Sequence, residues 1–227
     1  MKVEVPVIER VLESEVMDTE QDSTEYEAIP NEGPNLEFAS LALTHGPGAR
    51  DVLDMGTGPG HIAILLAQRA PGLHVTAIDL AESMLVLARK NVAHQNLGDR
   101  VLLLQRDVKA TGFPAASFDL VLSNSLVHHI PEPLAFFLEV QRVSRIGAGL
   151  FIRDLLRPSS EAEIVALVEL HASDCNEYQR RLFSDSLHAA LTLDEVRALS
   201  AEAGLDVLVE QTSDRHWTLA RSRSPGS

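Results

Sequence analysis

Cysteine is nearly absent from this 227-residue chain. The single Cys175 excludes an intramolecular disulfide, a multi-cysteine zinc site and an iron–sulfur cluster held by the chain's own thiolates. Basic side chains are also few: 19 Lys and Arg stand against 33 Asp and Glu, a formal net charge of -14. Binding to nucleic acid or an anionic membrane calls for the reverse balance, because Lys and Arg must replace the counterions around phosphate. Neither partner is expected. No run of about 18 apolar residues occurs, so no membrane span is expected either. The first ten residues lack the apolar h-region of a signal peptide, and the expectation is a cytoplasmic enzyme.

What is present is ordinary globular composition, 45% hydrophobic and 23% charged, in a chain long enough for one substantial core. Residues 1–35 read as an acidic arm. Within it Val7, Ile8, Val11, Leu12 and Val16 fall near helical spacing, and Pro30 to Pro34 reads as a turn. The arm is either a solvated extension or a lid over the active site. From residue 36 to 221 strands and helices alternate. Strands are expected at 51–55, 73–78, 101–105, 119–123 and 149–153, and a closing pair at 205–210 and 217–221. Helices are expected at 62–70, 81–95 and 133–143, then within a helical insertion at 160–191. A capping box at Thr192 and Glu195 opens a last helix that stops at Gly204. This alternation calls for a mostly parallel sheet with helices on both faces. Residues 222–227 are expected to be disordered.

The strongest motif runs Val52-Leu-Asp-Met-Gly-Thr-Gly-Pro-Gly-His61. A buried strand ends in Asp54, and Gly56, Gly58 and Gly60 bracket Thr57 before a helix begins. Glycine allows a tight turn and close backbone approach, and the helix start offers free N–H donors. A dinucleotide fingerprint would need its third glycine at position 61, which is His61. About twenty residues beyond the loop a second strand ends in Asp79, where a carboxylate can accept both ribose hydroxyls, or else cap the next helix. Asp107 and Val108 follow the third strand, and Ser123 and Asn124 end the fourth.

In this order, over residues 36–221, the motifs resemble those of the class I S-adenosylmethionine-dependent methyltransferases, nearest in flavour to the ubiquinone and menaquinone biosynthesis enzymes. The resemblance implies a single Rossmann-like α/β domain whose seven-stranded, mostly parallel sheet has one antiparallel strand. It implies S-adenosylmethionine as cofactor, S-adenosylhomocysteine as product and a small-molecule acceptor. By the same resemblance Asp54, Gly56, Thr57, Gly58 and Gly60 form the loop for the methionine end. Asp79 holds the ribose, Leu80 packs on the adenine with Met84 in the same pocket, and Asp107 and Val108 read the adenine. Ser123 and Asn124 stand at the methyl-transfer point. The Asn-Pro-Pro-Tyr/Phe signature of amino-directed nucleic-acid methyltransferases is absent, since Ser125 and Leu126 follow Asn124. Where many members carry Pro-Gly-Gly, this chain has Ile146 and Ala148 around Gly147.

Methyl transfer from a sulfonium needs acceptor, methyl and sulfur in line, and an acceptor that must lose a proton also needs a base. His128 and His129, just past the fourth strand, are candidates beside Asn124; the alternative is that they cap the turn at Pro131 or pack under the next helix. Arg153 could grip an anionic acceptor and Asp154 orient a hydroxyl or amine, or the two could form an ion pair that fixes the loop. His216 could reach the same rim and Tyr26 could close over the cofactor. The insertion either shapes the acceptor pocket, packs internally or makes a contact in a homodimer. Its His171, Asp174 and Glu177 are explained by exposed helical spacing, and no metal is expected. A nicotinamide-dependent oxidoreductase and a non-catalytic cofactor-binding module are the competing classes, the first opposed by His61.

Overall fold

The computed structural model describes residues 8–13 and 32–224; Tyr26, most of the acidic arm and the last three residues lie outside them. Seven strands form one sheet: β1 (Asp51–Met55), β2 (His74–Asp79), β3 (Val101–Gln105), β4 (Phe118–Asn124), β5 (Ser144–Leu155), β6 (Leu208–Gln211) and β7 (His216–Arg221). Their order is β3-β2-β1-β4-β5-β7-β6, and β7 alone runs antiparallel to its two neighbours. Among the described residues seven α-helices flank it: α1 (Glu32–His45), α2 (His61–Arg69), α3 (Glu82–His94), α4 (Pro133–Val143), α5 (Glu161–His171), α6 (Glu177–Ala189) and α7 (Leu193–Glu202). No helix among the described residues is long and apolar enough to cross a membrane.

The central strands are apolar almost without interruption because both faces are covered. Successive residues feed opposite faces: Leu53, Val121 and Ile152 join Phe136, Phe137 and Trp217 on one side. Val52, Leu120 and Phe151 join Phe38 and Leu66 on the other. On that second side α1 lies very close to β5. A Cβ on Gly149 would stand 2.3 Å from the His45 carbonyl oxygen, so only glycine admits the approach. The strand order reverses between β1 and β4, and the carboxyl ends of these two strands open a crevice at the switch point.

Several local expectations shift. The turn expected from Pro30 to Pro34 is replaced, from Glu32 onward, by α1. Pro34 falls in the helix's first turn, where an N–H has no intrahelical partner to lose. The amphipathic helix expected around Ile8 is not formed between Ile8 and Glu13, which run without regular structure. That segment is held by polar anchors, and Val11 and Leu12 face outward. The capping box at Thr192 and Glu195 is present, and a second, at Asn176 and Gln179, opens α6. Within the insertion, Ile164 and Leu187 pack on Leu155.

Candidate active site

The crevice is built first by the loop after β1. Its amides at Gly56 and Thr57 both donate to the Ile78 carbonyl (2.9 Å each), which ties the loop to the end of β2. Gly56 has φ +78°, a conformation that side chains rarely adopt. A Cβ there would also meet Leu126 Cδ1 at 2.7 Å. Asp54 is fully buried beneath the loop and accepts from the Thr57 hydroxyl at 2.7 Å. Burial pushes the Asp54 carboxyl up to about 7; the Thr57 hydroxyl pulls against this and the Asp79 charge adds to it. At the end of β2, Asp79 accepts from Gly58 N (2.8 Å) with one oxygen and from Ala81 N (3.0 Å) with the other.

From here the cleft extends past Leu80 and Met84 to Asp107 and Val108, and on its other side to Asn124, Leu126, His129 and Ile130. The cleft is open to solvent. Asp107 accepts from the Lys109 amide at 2.8 Å and pairs with its ammonium at 3.2 Å. Ser123, expected at the transfer point, turns elsewhere: it is buried and donates to the Met55 carbonyl at 2.7 Å, stitching β4 to β1.

The loop after β4 is shaped by Asp154, which lies in the interior rather than at an acceptor rim. One oxygen is 2.5 Å from His128 Nδ1 and accepts from Leu155 N; the other accepts from the amides of Leu126 (2.9 Å) and Val127. The 3-10 turn Val127–His129 is thereby fixed, with His128 buried and His129 at the cleft. From the opposite side comes the segment Ile8–Glu13. Arg10 donates to the carbonyls of Ala189 (2.7 Å), Ile130 (3.0 Å), His128 (3.2 Å) and Pro131 (3.3 Å). Glu13 Oε1 lies 3.1 Å from His129 Nδ1 and 3.5 Å from His128 Nε2. Burial raises the Glu13 carboxyl above its ordinary range, against the pull of His128. For His128 burial acts downward, but the Asp154 carboxylate prevails and raises it.

A family model described as a methyltransferase domain matches residues 52–147. The demethylmenaquinone methyltransferase of Thermus thermophilus is 40% identical over 181 residues, covering 75% of this chain and 80% of that protein. The chain belongs to the S-adenosylmethionine-dependent methyltransferases. The 27-O-demethylrifamycin SV methyltransferase of Amycolatopsis mediterranei is 31% identical over 179 residues, 77% of this chain. The chain spans 62% of that relative, and 50% of a release factor glutamine methyltransferase from Bacteroides thetaiotaomicron. A methyltransferase structure from Aquifex aeolicus superposes with a TM-score of 0.66 at 21% identity, over 89% of this chain and 97% of that one, and shows the shared fold.

The methyltransferase crevice suits the cofactor that the family uses. Asp79 presents its carboxylate at the cleft, and Leu80, 38% exposed there, offers an apolar surface for a flat ring. The other acceptor-side candidates separate. Arg153 and Asp154 are consecutive in β5 and point to opposite faces, so they form no pair with each other. Arg153 lies on the α1 side, its guanidinium 5.8 Å from the ring centroids of Phe38 and Phe151 and 3.6 Å from Glu37. Its Nε is buried without a hydrogen-bond partner among the described residues. His216 shares that face across β7; Ser213 Oγ lies 2.8 Å from its Nδ1. Burial first, then Arg215 and Arg153, hold this imidazole down at about 4. Arg10 and Glu13 were not singled out from the sequence; the one available signal is that Arg10 is one of two bases among the first 37 residues.

Proposed function

We propose that the protein transfers a methyl group from S-adenosylmethionine to a small-molecule acceptor and releases S-adenosylhomocysteine. The observation that carries this is one cleft at the switch point that gathers Gly56, Gly58, Asp79, Asp107 and Asn124. When bound, the cofactor supplies a methyl on a sulfonium, open to in-line displacement. The chain's task is positioning and exclusion of water. Asp54 and Thr57 hold the glycine loop in shape, while Asp79 and Asp107 present acceptors along the cleft. Ser123 keeps β4 in register with β1 so that Asn124 reaches the crevice. Where the acceptor must lose a proton, His129 stands on the side where it docks, and Asp154 sets that orientation through His128 and the amides at 126 and 127.

The net charge of -14 supports a small molecule rather than nucleic acid or a membrane surface, and with the single cysteine supports a cytoplasmic setting. Arg153, backed by two aromatic rings, supports an acceptor with an anionic group.

The experiment is calorimetric titration with S-adenosylmethionine, S-adenosylhomocysteine and NADH, on the wild type and on Asp79→Ala. Wild-type binding of the first two is expected in the micromolar range, about -8 kcal/mol. Loss of two hydrogen bonds to a charged group, about 1.5–3 kcal/mol each, weakens the variant at least 100-fold. A wild type that binds NADH alone overturns the proposal. Formation of S-adenosylhomocysteine with a panel of small anionic and neutral acceptors separates a working enzyme from a binding module.

A further inference from the structure

We propose that Glu13, His128 and His129 form a binding site for a divalent transition-metal cation of the zinc type, facing the acceptor end of the cleft. One ligand atom from each residue lies within 4.8 Å of the others. A cation with bonds of about 2.0–2.2 Å sets neighbouring ligand atoms about 2.9–3.6 Å apart at angles between octahedral and tetrahedral. The separations from Glu13 Oε1, 3.1 Å to His129 Nδ1 and 3.5 Å to His128 Nε2, fall in that interval. Two imidazoles and one carboxylate are a common ligand set for such ions.

Two features of the cluster point to a cation. Glu13 Oε1 is buried and accepts no hydrogen bond among the described residues, a costly state for a carboxylate oxygen. Asp154, meanwhile, is already an acceptor for backbone N–H groups, so His128 Nδ1 at 2.5 Å must carry the proton. His128 Nε2 is then turned toward the Glu13 oxygen at 3.5 Å. A buried carboxylate that fixes the far nitrogen of a histidine is the usual support of a metal-bound imidazole. A shared proton is the competing account. It suits the geometry less, because charge-assisted N–H···O bonds are about 2.7–2.9 Å long, and one proton cannot serve both imidazoles.

Three protein ligands leave coordination positions for an acceptor oxygen, since His129 lines the cleft. Bound there, an acceptor hydroxyl gives up its proton more readily, and His129 acts by holding the cation. That use rests on the methyl-transfer reading; the site itself does not, and its test needs neither cofactor nor acceptor. The cation would also staple the segment Ile8–Glu13, already docked through Arg10 and the Val11 amide (3.1 Å to the His188 carbonyl), onto the loop after β4.

Untagged, chelator-stripped protein is titrated with Co²⁺ alone and followed by visible absorption, with Zn²⁺ as competitor. One equivalent is expected to bind with d–d bands of a low-coordinate nitrogen and oxygen site, and Zn²⁺ to displace it and raise the melting temperature. Glu13→Gln and His129→Asn each weaken binding at least tenfold and abolish the thermal shift, while metal-free Glu13→Gln melts within a few degrees of the wild type. His171→Ala, which alters the exposed pair with Asp214, binds as the wild type does. No saturable binding by the wild type overturns the proposal, as does binding that survives both ligand substitutions or disappears in His171→Ala.

Discussion

Asp154→Asn replaces one atom and leaves no cavity, so its effect isolates hydrogen bonding. The carboxylate accepts from four donors, two on each oxygen: His128 Nδ1 and Leu155 N on one, Leu126 N and Val127 N on the other. An amide keeps one of these oxygens and turns the other into an NH₂. If the NH₂ faces Leu126 and Val127, two buried N–H groups oppose a donor. If it faces His128, the ring can change tautomer and accept, leaving Leu155 N opposed. The second arrangement loses less: one orphaned donor at about 1–3 kcal/mol and the charge assistance of the remaining bonds at about 1–2 kcal/mol in sum. The expected loss is about 2–5 kcal/mol, with Asp154→Ala costing more because no acceptor remains. Urea denaturation with an unchanged m-value measures it, and amide exchange at Leu126 and Val127 localises it. A loss below about 0.5 kcal/mol, within the range of ordinary surface changes, with both amides as protected as before, would refute the reasoning that Asp154 builds this loop.

Gly56→Ala combines a φ of +78° with a Cβ 2.7 Å from Leu126 Cδ1. It is expected to destabilise by about 1–3 kcal/mol and to weaken S-adenosylmethionine binding, whereas Gly72→Ala, with nothing within 4 Å, leaves both unchanged in the same melting and titration assays. His216 gives a pH signature. Its folded value is near 4 and its unfolded value near 6.5, so between them the unfolded chain binds the extra proton and stability falls as pH drops. Between pH 7.5 and 4.5 this contributes about 2 kcal/mol of loss. His216→Gln should flatten that part of the denaturation profile, and an unchanged slope would remove His216 as its source.

The strands and their alternation with helices were legible because they rest on local signals: apolar strands, glycine and acid at their ends, helices between. The residues of the cofactor cleft were legible for the same reason, since Gly56, Asp79, Asp107 and Asn124 each sit where a strand stops. Less was readable where orientation decides. Ser123 and Asn124 are neighbours, yet the pleat sends one to Met55 and the other to the cleft. The same period of two separates Arg153 from Asp154, and it was available in advance, because consecutive strand residues cannot share a face. Which of two adjacent histidines meets the cleft could not be read, as the answer lies in Asp154, 26 positions away from His128. Glu13 and Arg10 were further out of reach: they meet residues more than a hundred positions along, and no spacing in the chain foretells such contacts. The candidate metal ligands weighed from the sequence, His171, Asp174 and Glu177, were neighbours along the chain, whereas Glu13 meets His128 and His129 from more than a hundred positions away.

The two halves of the cleft therefore differ in how they are encoded. The cofactor half comes from strand ends between residues 54 and 124, inside the stretch that matches the methyltransferase domain, residues 52–147. The loop that carries His129 is instead held by Arg10 and Glu13 before that stretch and by Asp154 after it. The match to the Thermus thermophilus relative reaches beyond that stretch, over 75% of this chain. The Arg10 and Glu13 contacts make the difference concrete: the loop that carries His129 is held by Asp154 of β5 and by the N-terminal segment Ile8–Glu13.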